Sequence, residues 1–440
     1  MKKRLLATLL SSTLVMTSLA GCSSKSENGD MVTELTKPIT IEMWHYMNGG
    51  QAEVLNEIIE DFNATNDKGI TVNAISQGSI VDLNKKVISA AQSNSLPAII
   101  NVYPDIATGL IEDKKLVNLS SFINDKNVGM ADEMDDFVDS FIQETSQWNN
   151  GEVYGLPMTK STEVLYVNKN MLESLGYTLE DLEGLTFEKL AEISNKAVTE
   201  LGVAGFGFDS SSNAFISSLK MNGLDFVDSK GTINVDNEWV REYMTFFQKQ
   251  AESGAFRIAG EDKFLSNPFV NQKMLCYQGS SAGYAYLNNG GAFEIAVVEV
   301  PVFEGKDKAV MQQGASLFVT NNVSAEAQYA AYEFVKFATN AENTAKFATA
   351  TGYLPVRKSA VETEIVKNIL NDETSLYSQV YNVAQKSLPY SYYTPAINNA
   401  QSARTVAQEK YEAFMSGSIK DVEVLVDDIV SQVQTSIGRN

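Results

Sequence analysis

Histidine and cysteine are nearly absent from this chain of 440 residues, and their scarcity excludes several classes of enzyme. His45 is the only histidine, and the two cysteines are Cys22 and Cys276. A zinc site built from several histidines and a Cys-x-x-Cys redox motif are therefore impossible within the chain. The sequence also contains no Walker-type phosphate-binding loop. We expect no catalytic residue, no metal site and no cofactor.

Basic residues are also few in comparison with acidic residues. The chain carries 34 Lys and Arg against 55 Asp and Glu, which gives a formal net charge of −21. Nucleic acids and anionic lipid surfaces are bound through basic patches, so we expect neither as a partner. A single arginine and a few backbone amides can still hold a small anion such as phosphate against this background.

The N-terminus has the pattern of an export signal. Three basic residues at 2–4 precede an apolar run, which ends in Leu-Ala-Gly-Cys at residues 19–22. The pattern favours a secretory signal over a membrane span, and its ending resembles the bacterial lipoprotein box. That resemblance implies a signal peptide at 1–21 and acylation of Cys22, for example with palmitate, as a membrane anchor. The alternatives are an ordinary cleaved signal and an uncleaved anchor helix.

Removal of residues 1–21 takes away three positive charges and changes the net charge from −21 to −24. If Cys22 is acylated, Cys276 has no partner, and no intramolecular disulfide supports the fold. Residues 22–37 are rich in Ser, Lys, Glu and Thr without apolar periodicity, which predicts a flexible tether.

Strands and helices alternate from residue 39 onwards. Strand patterns at 40–44, 70–74 and 98–102, the last of them mostly apolar, are separated by helical patterns at 52–62 and 81–91, which predicts βαβ units and a parallel sheet covered on both faces. A second series contains strands at 164–167, 202–208, 295–300 and 315–319. Its predicted helices are 170–175, 187–201, 214–221, 238–251 and 325–350, the last one broken near Asn340. The C-terminal part is helical, with an interruption at 388–395.

The stretch at 155–169 has the features of a ligand site. A polar cluster, Thr-Lys-Ser-Thr at 159–162, directly precedes the buried strand 164–167. Polar side chains at a strand end or a domain crossing suit a ligand cleft, because buried polar groups need partners. The alternative is a hydroxyl-rich turn that caps itself.

Three further patterns bear on function. Residues 279–283 fit the Gly-x-Ser-x-Gly nucleophile elbow of hydrolases. In hydrolases of that fold the catalytic histidine follows the serine in the sequence, whereas the only histidine here, His45, lies upstream of Ser281. We interpret the segment as a glycine-serine loop, which either binds an anion or forms a plain β-turn. Arg404 follows a polar run at 398–403 and begins a helical stretch. Its guanidinium could hold a carboxylate or phosphate, and the alternative is a surface helix arginine.

Together these motifs resemble the solute-binding proteins of bacterial ABC importers, in the family that takes up sugars and glycerol phosphates. The likeness runs through Trp44-His45, the helix at 52–63, Leu-Pro-Ala-Ile-Ile at 96–100, Gly-Leu-Pro at 155–157, and the segments at 164–169, 279–281, 314–316 and 351–355, to Arg404. The closest likeness is to binders of glycerol-3-phosphate and glycerophosphodiesters. The residues that match their phosphate site are Ser161, Ser280, Gly314, Tyr353 and Arg404.

The glycerol end of the pattern matches less well. Where these binders carry a tyrosine and a glutamate, this chain has Ile80 and Pro104, with Asp105 adjacent as a substitute carboxylate. A pocket tryptophan corresponds to Phe187. Trp44 and Asp105 complete the predicted ligand-binding set.

The resemblance implies an α/β fold of the periplasmic-binding-protein type, with two lobes, a hinge and a central ligand cleft. The expected division is lobe 1 at 38–146 plus 313–349 and lobe 2 at 147–312 plus 350–440. It also implies a monomer that is lipid-anchored on the extracellular face of the cell membrane, binds a small-molecule ligand and delivers it to ABC permease subunits. It implies no enzyme activity. The alternatives are a carbohydrate-binding protein of the same fold and, more distantly, a surface-anchored hydrolase.

Overall fold

A computed structural model describes residues 31–149 and 151–438 of the chain. The predicted signal peptide at 1–21, the lipidation site Cys22 and the first part of the tether at 22–37 lie outside the described residues. Across the part of the chain that is described, no helix has both the length and the apolar character needed to cross a membrane.

The described residues form twelve strands and sixteen α-helices. The strands are β1 Ile39–His45, β2 Ile70–Ser76, β3 Ile99–Val102, β4 Gly155–Pro157, β5 Glu163–Asn168, β6 Phe206–Phe208, β7 Phe256–Ile258, β8 Cys276–Ser280, β9 Ile295–Val298, β10 Val310–Met311, β11 Ser316–Val319 and β12 Ser391–Tyr392. The helices are α1 Gly50–Thr65, α2 Ile80–Gln92, α3 Pro104–Glu112, α4 Ser120–Ile123, α5 Asp139–Glu144, α6 Lys169–Ser174, α7 Phe187–Lys196, α8 Ser211–Met221, α9 Glu238–Glu252, α10 Ser266–Val270, α11 Ala325–Ala338, α12 Ala341–Thr351, α13 Glu364–Leu370, α14 Leu376–Ser387, α15 Ala400–Met415 and α16 Val422–Ser436.

The first sheet has the strand order β2-β1-β3-β11-β4. Strands β1, β2 and β3 are parallel, which confirms the predicted βαβ units. Strand β11 is antiparallel to both β3 and β4, so the sheet is mixed. The apolar pattern did not predict this, because side-chain alternation carries no information about strand direction.

The second sheet has the order β7-β6-β8-β5-β9. Its strand β5 is antiparallel to β8 and β9, whereas β6 is parallel to β7 and β8. All six residues of β5 are buried, as the weak alternation at 164–167 predicted. Each sheet has its own apolar core, built around residues such as Ile99 and Leu317 in the first and Val167 and Phe206 in the second. The two sheets confirm the predicted two-lobed α/β fold.

The longer helices lie where periodicity predicted them. The long pattern at 325–350 divides into α11 and α12, and the side chain of Asn340 caps α12 by accepting a hydrogen bond from Asn343 N at 2.8 Å. The pattern at 187–201 forms α7, followed by a π-helical turn at Ala197–Leu201. The interruption at 388–395 contains the short strand β12, which pairs with β10.

The exact division into lobes stays a prediction. Strand β4 pairs with β11 in the first sheet, although it falls within the range 147–312 expected for lobe 2.

Candidate functional site

Two stretches that lead out of and back into the first sheet pair with each other, and we call them the crossing stretches. Residues 158–162 lead from β4 to β5 of the second sheet, and residues 312–315 lead from β10, which forms a separate two-stranded sheet with β12, to β11. Ser161 and Gln313 exchange both backbone hydrogen bonds, each at 2.9 Å. Ser161 is only 6% exposed. The polar cluster predicted at 159–162 therefore lies at the crossing between the sheets.

The cluster also holds three other parts of the chain through hydrogen bonds. These join residues 159–162 to Tyr46 at 3.1 Å, to Ser281 at 2.7 Å and to Leu354 at 2.7 Å. Two predicted ligand residues, Ser280 and Tyr353, directly precede the last two of these partners. The partners are distant in sequence, so the alternative of a turn that caps itself is wrong.

Gly314 lies where the two crossing stretches touch. Its φ is +126°, and a Cβ built on it would lie 1.6 Å from the carbonyl oxygen of Thr159. The carbonyl oxygen of Gly314 accepts a hydrogen bond from Lys160 Nζ at 3.0 Å. Only glycine combines this backbone conformation with so close an approach.

Lys160 forms a buried ion pair beneath the cleft. Its Nζ lies 2.5 Å from Oε2 of Glu144, and the side chains are 0% and 9% exposed. Gln312 donates a further hydrogen bond to the same carboxylate oxygen at 3.2 Å. The pair joins α5, which packs on the first sheet, to the crossing stretches.

Replacing Lys160 with methionine should cost about 3–5 kcal/mol of folding free energy, because the carboxylate of Glu144 would be left buried without its cation. Chemical denaturation of both proteins measures the difference. The matched control is Lys169→Met, which breaks the more exposed pair with Glu294 and should cost under about 1 kcal/mol. Equal losses in the two variants would contradict the role given to the buried pair.

Arg404 lies in the first turns of α15 and is half-buried. Its Nη2 donates to Oδ1 of Asn213 at 2.6 Å, and its Nη1 lies 3.9 Å from Sδ of Met311. Within the described residues, the guanidinium forms no ion pair with a carboxylate. The alternative of a plain surface arginine is wrong, since Arg404 lines a cavity of about 980 Å³ together with Asp105 and Gln313.

Asn213 fixes the orientation of this guanidinium. Its Nδ2 donates to Oε1 of Glu163 at 2.7 Å and to Oε1 of Gln313 at 2.8 Å. Glu163 also accepts a hydrogen bond from Gln278 Nε2 at 2.8 Å. Burial raises the pKa of the Glu163 carboxyl, and the two amide hydrogen bonds and the charge of Arg404 oppose the shift.

Neither Asn213 nor Glu163 was predicted from the sequence. One signal could have found Asn213: it ends a polar run at 209–213 that follows β6, and polar residues at strand ends tend to face the ligand cleft. Glu163 directly follows the predicted cluster at 159–162.

Asp105 lies on the opposite wall of the cavity, in the first turn of α3. Its Oδ1 accepts a hydrogen bond from Ile106 N at 2.8 Å. Burial raises the pKa of the Asp105 carboxyl, and the nearby positive charge of Arg404 opposes this. Pro104 begins the same helix, and Ile80, at the start of α2, lines the same cavity. The structure thus brings Ile80, Asp105 and Arg404 to one cleft.

Three tyrosine side chains lie close together beside the crossing stretches. The hydroxyl oxygens of Tyr46 and Tyr353 are 3.5 Å apart, and the ring of Tyr103 stands edge-on to that of Tyr46 with centroids 6.5 Å apart. Tyr46 and Tyr103 directly follow β1 and β3, and neither was predicted from the sequence. Their position after parallel strands was the signal that could have found them.

Ser280 ends β8, as predicted for the glycine-serine loop. Its hydroxyl accepts a hydrogen bond from Ala282 N at 3.2 Å, which is the local bond of a turn. The loop nevertheless contacts the crossing, because Ser281 N donates to the carbonyl oxygen of Thr162.

Two aromatic residues singled out in the sequence lie in apolar cores. Trp44 belongs to a cluster with Leu83 and Val87, and Lys86 Nζ lies 4.6 Å from its ring centroid. Phe187, matched to a pocket tryptophan, is 2% exposed and its ring centroid lies 4.5 Å from that of Phe303. Phe187 therefore lies in the apolar core around the second sheet.

The cleft thus offers one guanidinium, hydroxyl groups and an acidic side chain. His45 is buried, and its Nδ1 accepts a hydrogen bond from Met47 N at 3.1 Å. Burial lowers the pKa of His45 to about 4, so it is neutral at pH 7. Among the described residues, no group of three or more potential metal-ligating side chains is assembled. This arrangement suits the binding of a small anion.

The chain is similar to known proteins over most of its length. The family of bacterial extracellular solute-binding proteins matches residues 57–371. The sn-glycerol-3-phosphate-binding periplasmic protein UgpB of Rhizobium meliloti is 23% identical over 414 residues, which cover 90% of this chain and 94% of that protein.

Solved structures share the fold. UgpB from Mycobacterium tuberculosis in complex with glycerophosphocholine has a TM-score of 0.78 and 21% identity, and the match covers 92% of this chain and 99% of that one. The cyclic alpha-maltosyl-1,6-maltose binding protein from Arthrobacter globiformis has a TM-score of 0.76 and 17% identity, with 92% and 100% covered. The relatives include a glycerol-phosphate binder and a sugar binder.

Proposed function

We propose that this chain, which belongs to the family of bacterial extracellular solute-binding proteins, captures glycerol-3-phosphate or a glycerophosphodiester and delivers it to the permease of an ABC importer. The phosphate group is held by Arg404 together with the other predicted residues of the crossing, Ser161, Ser280, Gly314 and Tyr353. Asp105 binds hydroxyl groups of the ligand, and Trp44 is assigned to the site by resemblance alone. The chain binds its ligand and performs no reaction on it.

The observation that carries this proposal is the state of Arg404. The guanidinium is held in place by Asn213, it lines the cleft, and no carboxylate of the described residues forms an ion pair with it. A half-buried guanidinium that forms no ion pair with a carboxylate can accept a ligand anion as its direct partner, which reduces the cost of burying its charge. A phosphate accepts charge-assisted, bidentate hydrogen bonds from a guanidinium, whereas a neutral sugar cannot neutralise its charge.

Calorimetric titration of the chain expressed from Ser23 onwards tests the proposal. The protein is unfolded and refolded first, to remove any bound ligand, and is titrated with glycerol-3-phosphate, glycerophosphocholine and a maltooligosaccharide. We expect heat from a phosphate compound and none from the sugar. Heat from the sugar alone would overturn the proposal.

A carbohydrate ligand is the second candidate. Ile80 and Pro104 stand where glycerol-phosphate binders carry a tyrosine and a glutamate, and the rings of Tyr46 and Tyr103 beside the cleft could contact a sugar face. The same titration separates the two candidates.

We also propose that acylation of Cys22 anchors the chain to the outer face of the cell membrane. The Leu-Ala-Gly-Cys motif supports this. Cells grown with labelled palmitate should label the wild-type protein and leave Cys22→Ser unlabelled. Equal labelling of the two would contradict the anchor.

A further inference from the structure

The cleft is larger than a glycerol phosphate requires. Its cavity of about 980 Å³ starts at Arg404 and Asp105 and continues along the outer face of α2. Pockets of roughly 300–1,000 Å³ hold drug-sized ligands, and glycerol-3-phosphate has only about ten non-hydrogen atoms. The region beyond Asp105 is therefore available to a second part of the ligand.

One wall of this extension is a face of α2, and the residues that line it recur at helical spacing. It presents Val81 and Ile88, which are 55% and 48% exposed, with Asn84 and Lys85 between them. Oδ1 of Asn84 is buried and has no hydrogen-bond partner among the described residues. A buried atom cannot be reached from the cavity, so the part of this amide that is available to a ligand is its Nδ2, which also has no hydrogen-bond partner within the described residues.

The opposite wall is the start of α15. Its lining side chains there include Asn399, Gln401 and Ser402. Within the described residues, none of these three side chains has a hydrogen-bond partner. The extension thus places free amides and a hydroxyl opposite a wall that carries two exposed aliphatic side chains, an amide and the ammonium group of Lys85.

The side chains on these two walls favour some chemical groups as the second part of the ligand over others. Side-chain amides both donate and accept hydrogen bonds, so they match the hydroxyl groups of a polyol. A quaternary ammonium donates no hydrogen bond and is recognised by aromatic faces. Among the described residues that line this cavity, Tyr103 is the one aromatic, and it lies beside Asp105 at the inner end rather than along α2.

We infer that the ligand is a glycerophosphodiester whose second alcohol is a polyol, such as inositol or glycerol, and that this polyol lies between α2 and the start of α15. The inference rests on the proposed function, since Arg404 holds the phosphate of the same molecule. Asn84 and Gln401 contact the hydroxyl groups of the polyol.

Calorimetric titration of the refolded protein with glycerophosphoinositol, glycerophosphocholine and glycerol-3-phosphate tests the inference. Two or more added hydrogen bonds should make glycerophosphoinositol bind at least about 10-fold more tightly than either of the others. Similar affinities for all three, or tightest binding of the choline compound, would overturn the inference and leave the proposed function standing. Absence of binding by every phosphate compound would overturn both.

Two variants on separate helices locate the polyol. Asn84→Ala and Gln401→Ala should each weaken glycerophosphoinositol binding by roughly 5–10-fold and change glycerol-3-phosphate binding by less than about 2-fold. Retained glycerol-3-phosphate binding also shows that each variant folds. The matched control is Ser89→Ala, on an exposed position of α2 that does not line the cavity. If both variants bind glycerophosphoinositol like the control, the polyol does not lie in this extension and the inference is wrong.

Discussion

Replacing Arg404 with alanine is expected to abolish binding of phosphate ligands while the protein stays folded. The guanidinium lies at the inner end of the cleft, and its hydrogen bond to Asn213 fixes its orientation. It forms no ion pair within the described residues. Loss of a desolvated charge partner costs about 4 kcal/mol, which corresponds to roughly a 1,000-fold loss of affinity. Calorimetric titration with glycerol-3-phosphate measures the loss.

Two comparisons make this result specific. Arg241→Ala removes a half-buried arginine of α9 that pairs with Asp236 and Glu423 and does not line the cavity, and it should leave ligand affinity unchanged. Arg404→Lys keeps the charge but loses the fork of donors, so it should retain part of the affinity. An affinity of Arg404→Ala equal to that of the wild type would remove the main support for a phosphate ligand.

Replacing Gly314 with alanine is expected to cause the largest loss of stability, at least about 5 kcal/mol, and with it the loss of binding. The added methyl group would overlap the carbonyl oxygen of Thr159 at 1.6 Å, and the φ of +126° would be strained for any side chain. The two crossing stretches would have to separate to relieve the overlap. Denaturant unfolding, followed by titration of whatever protein remains folded, measures both effects.

Gly305→Ala is the matched control for this change. Gly305 also has a positive φ, +72°, but a Cβ there would have no atom within 4 Å. Its replacement should cost only about 1–2 kcal/mol, from the backbone conformation alone. A loss in Gly314→Ala no larger than in Gly305→Ala would show that the crossing stretches separate easily and that close contact between them is not required.

Much of the fold could be predicted because its signals are local. The helices at 52–62 and 81–91 have continuous apolar stripes, and the structure forms α1 and α2 around them. The break near Asn340 was visible because asparagine is a preferred N-cap residue. Boundaries moved by a few residues where the terminal residues carry no apolar pattern, as at 202–208, where only Phe206–Phe208 is a strand.

The candidate site was predicted in part. Resemblance and polar motifs selected Ser161, Gly314 and Arg404, which lie at or beside the cleft. Phe187, which stands where related binders carry a pocket tryptophan, lies in an apolar core, because the residue type at a matched position gives no indication of the direction of its side chain.

By itself, the amino-acid sequence determined the α/β class, the order of the main helices and strands, the absence of multi-histidine metal chemistry and the polar character of the segment 159–162. Each of these depends on composition or on neighbours along the chain. The tertiary structure alone decided that β11 runs antiparallel to β3, that Asn213 links Glu163 to Arg404, and that α2 faces the start of α15 across one cavity. These contacts join residues far apart in sequence, and only the packing of both sheets around the two crossing stretches brings them together.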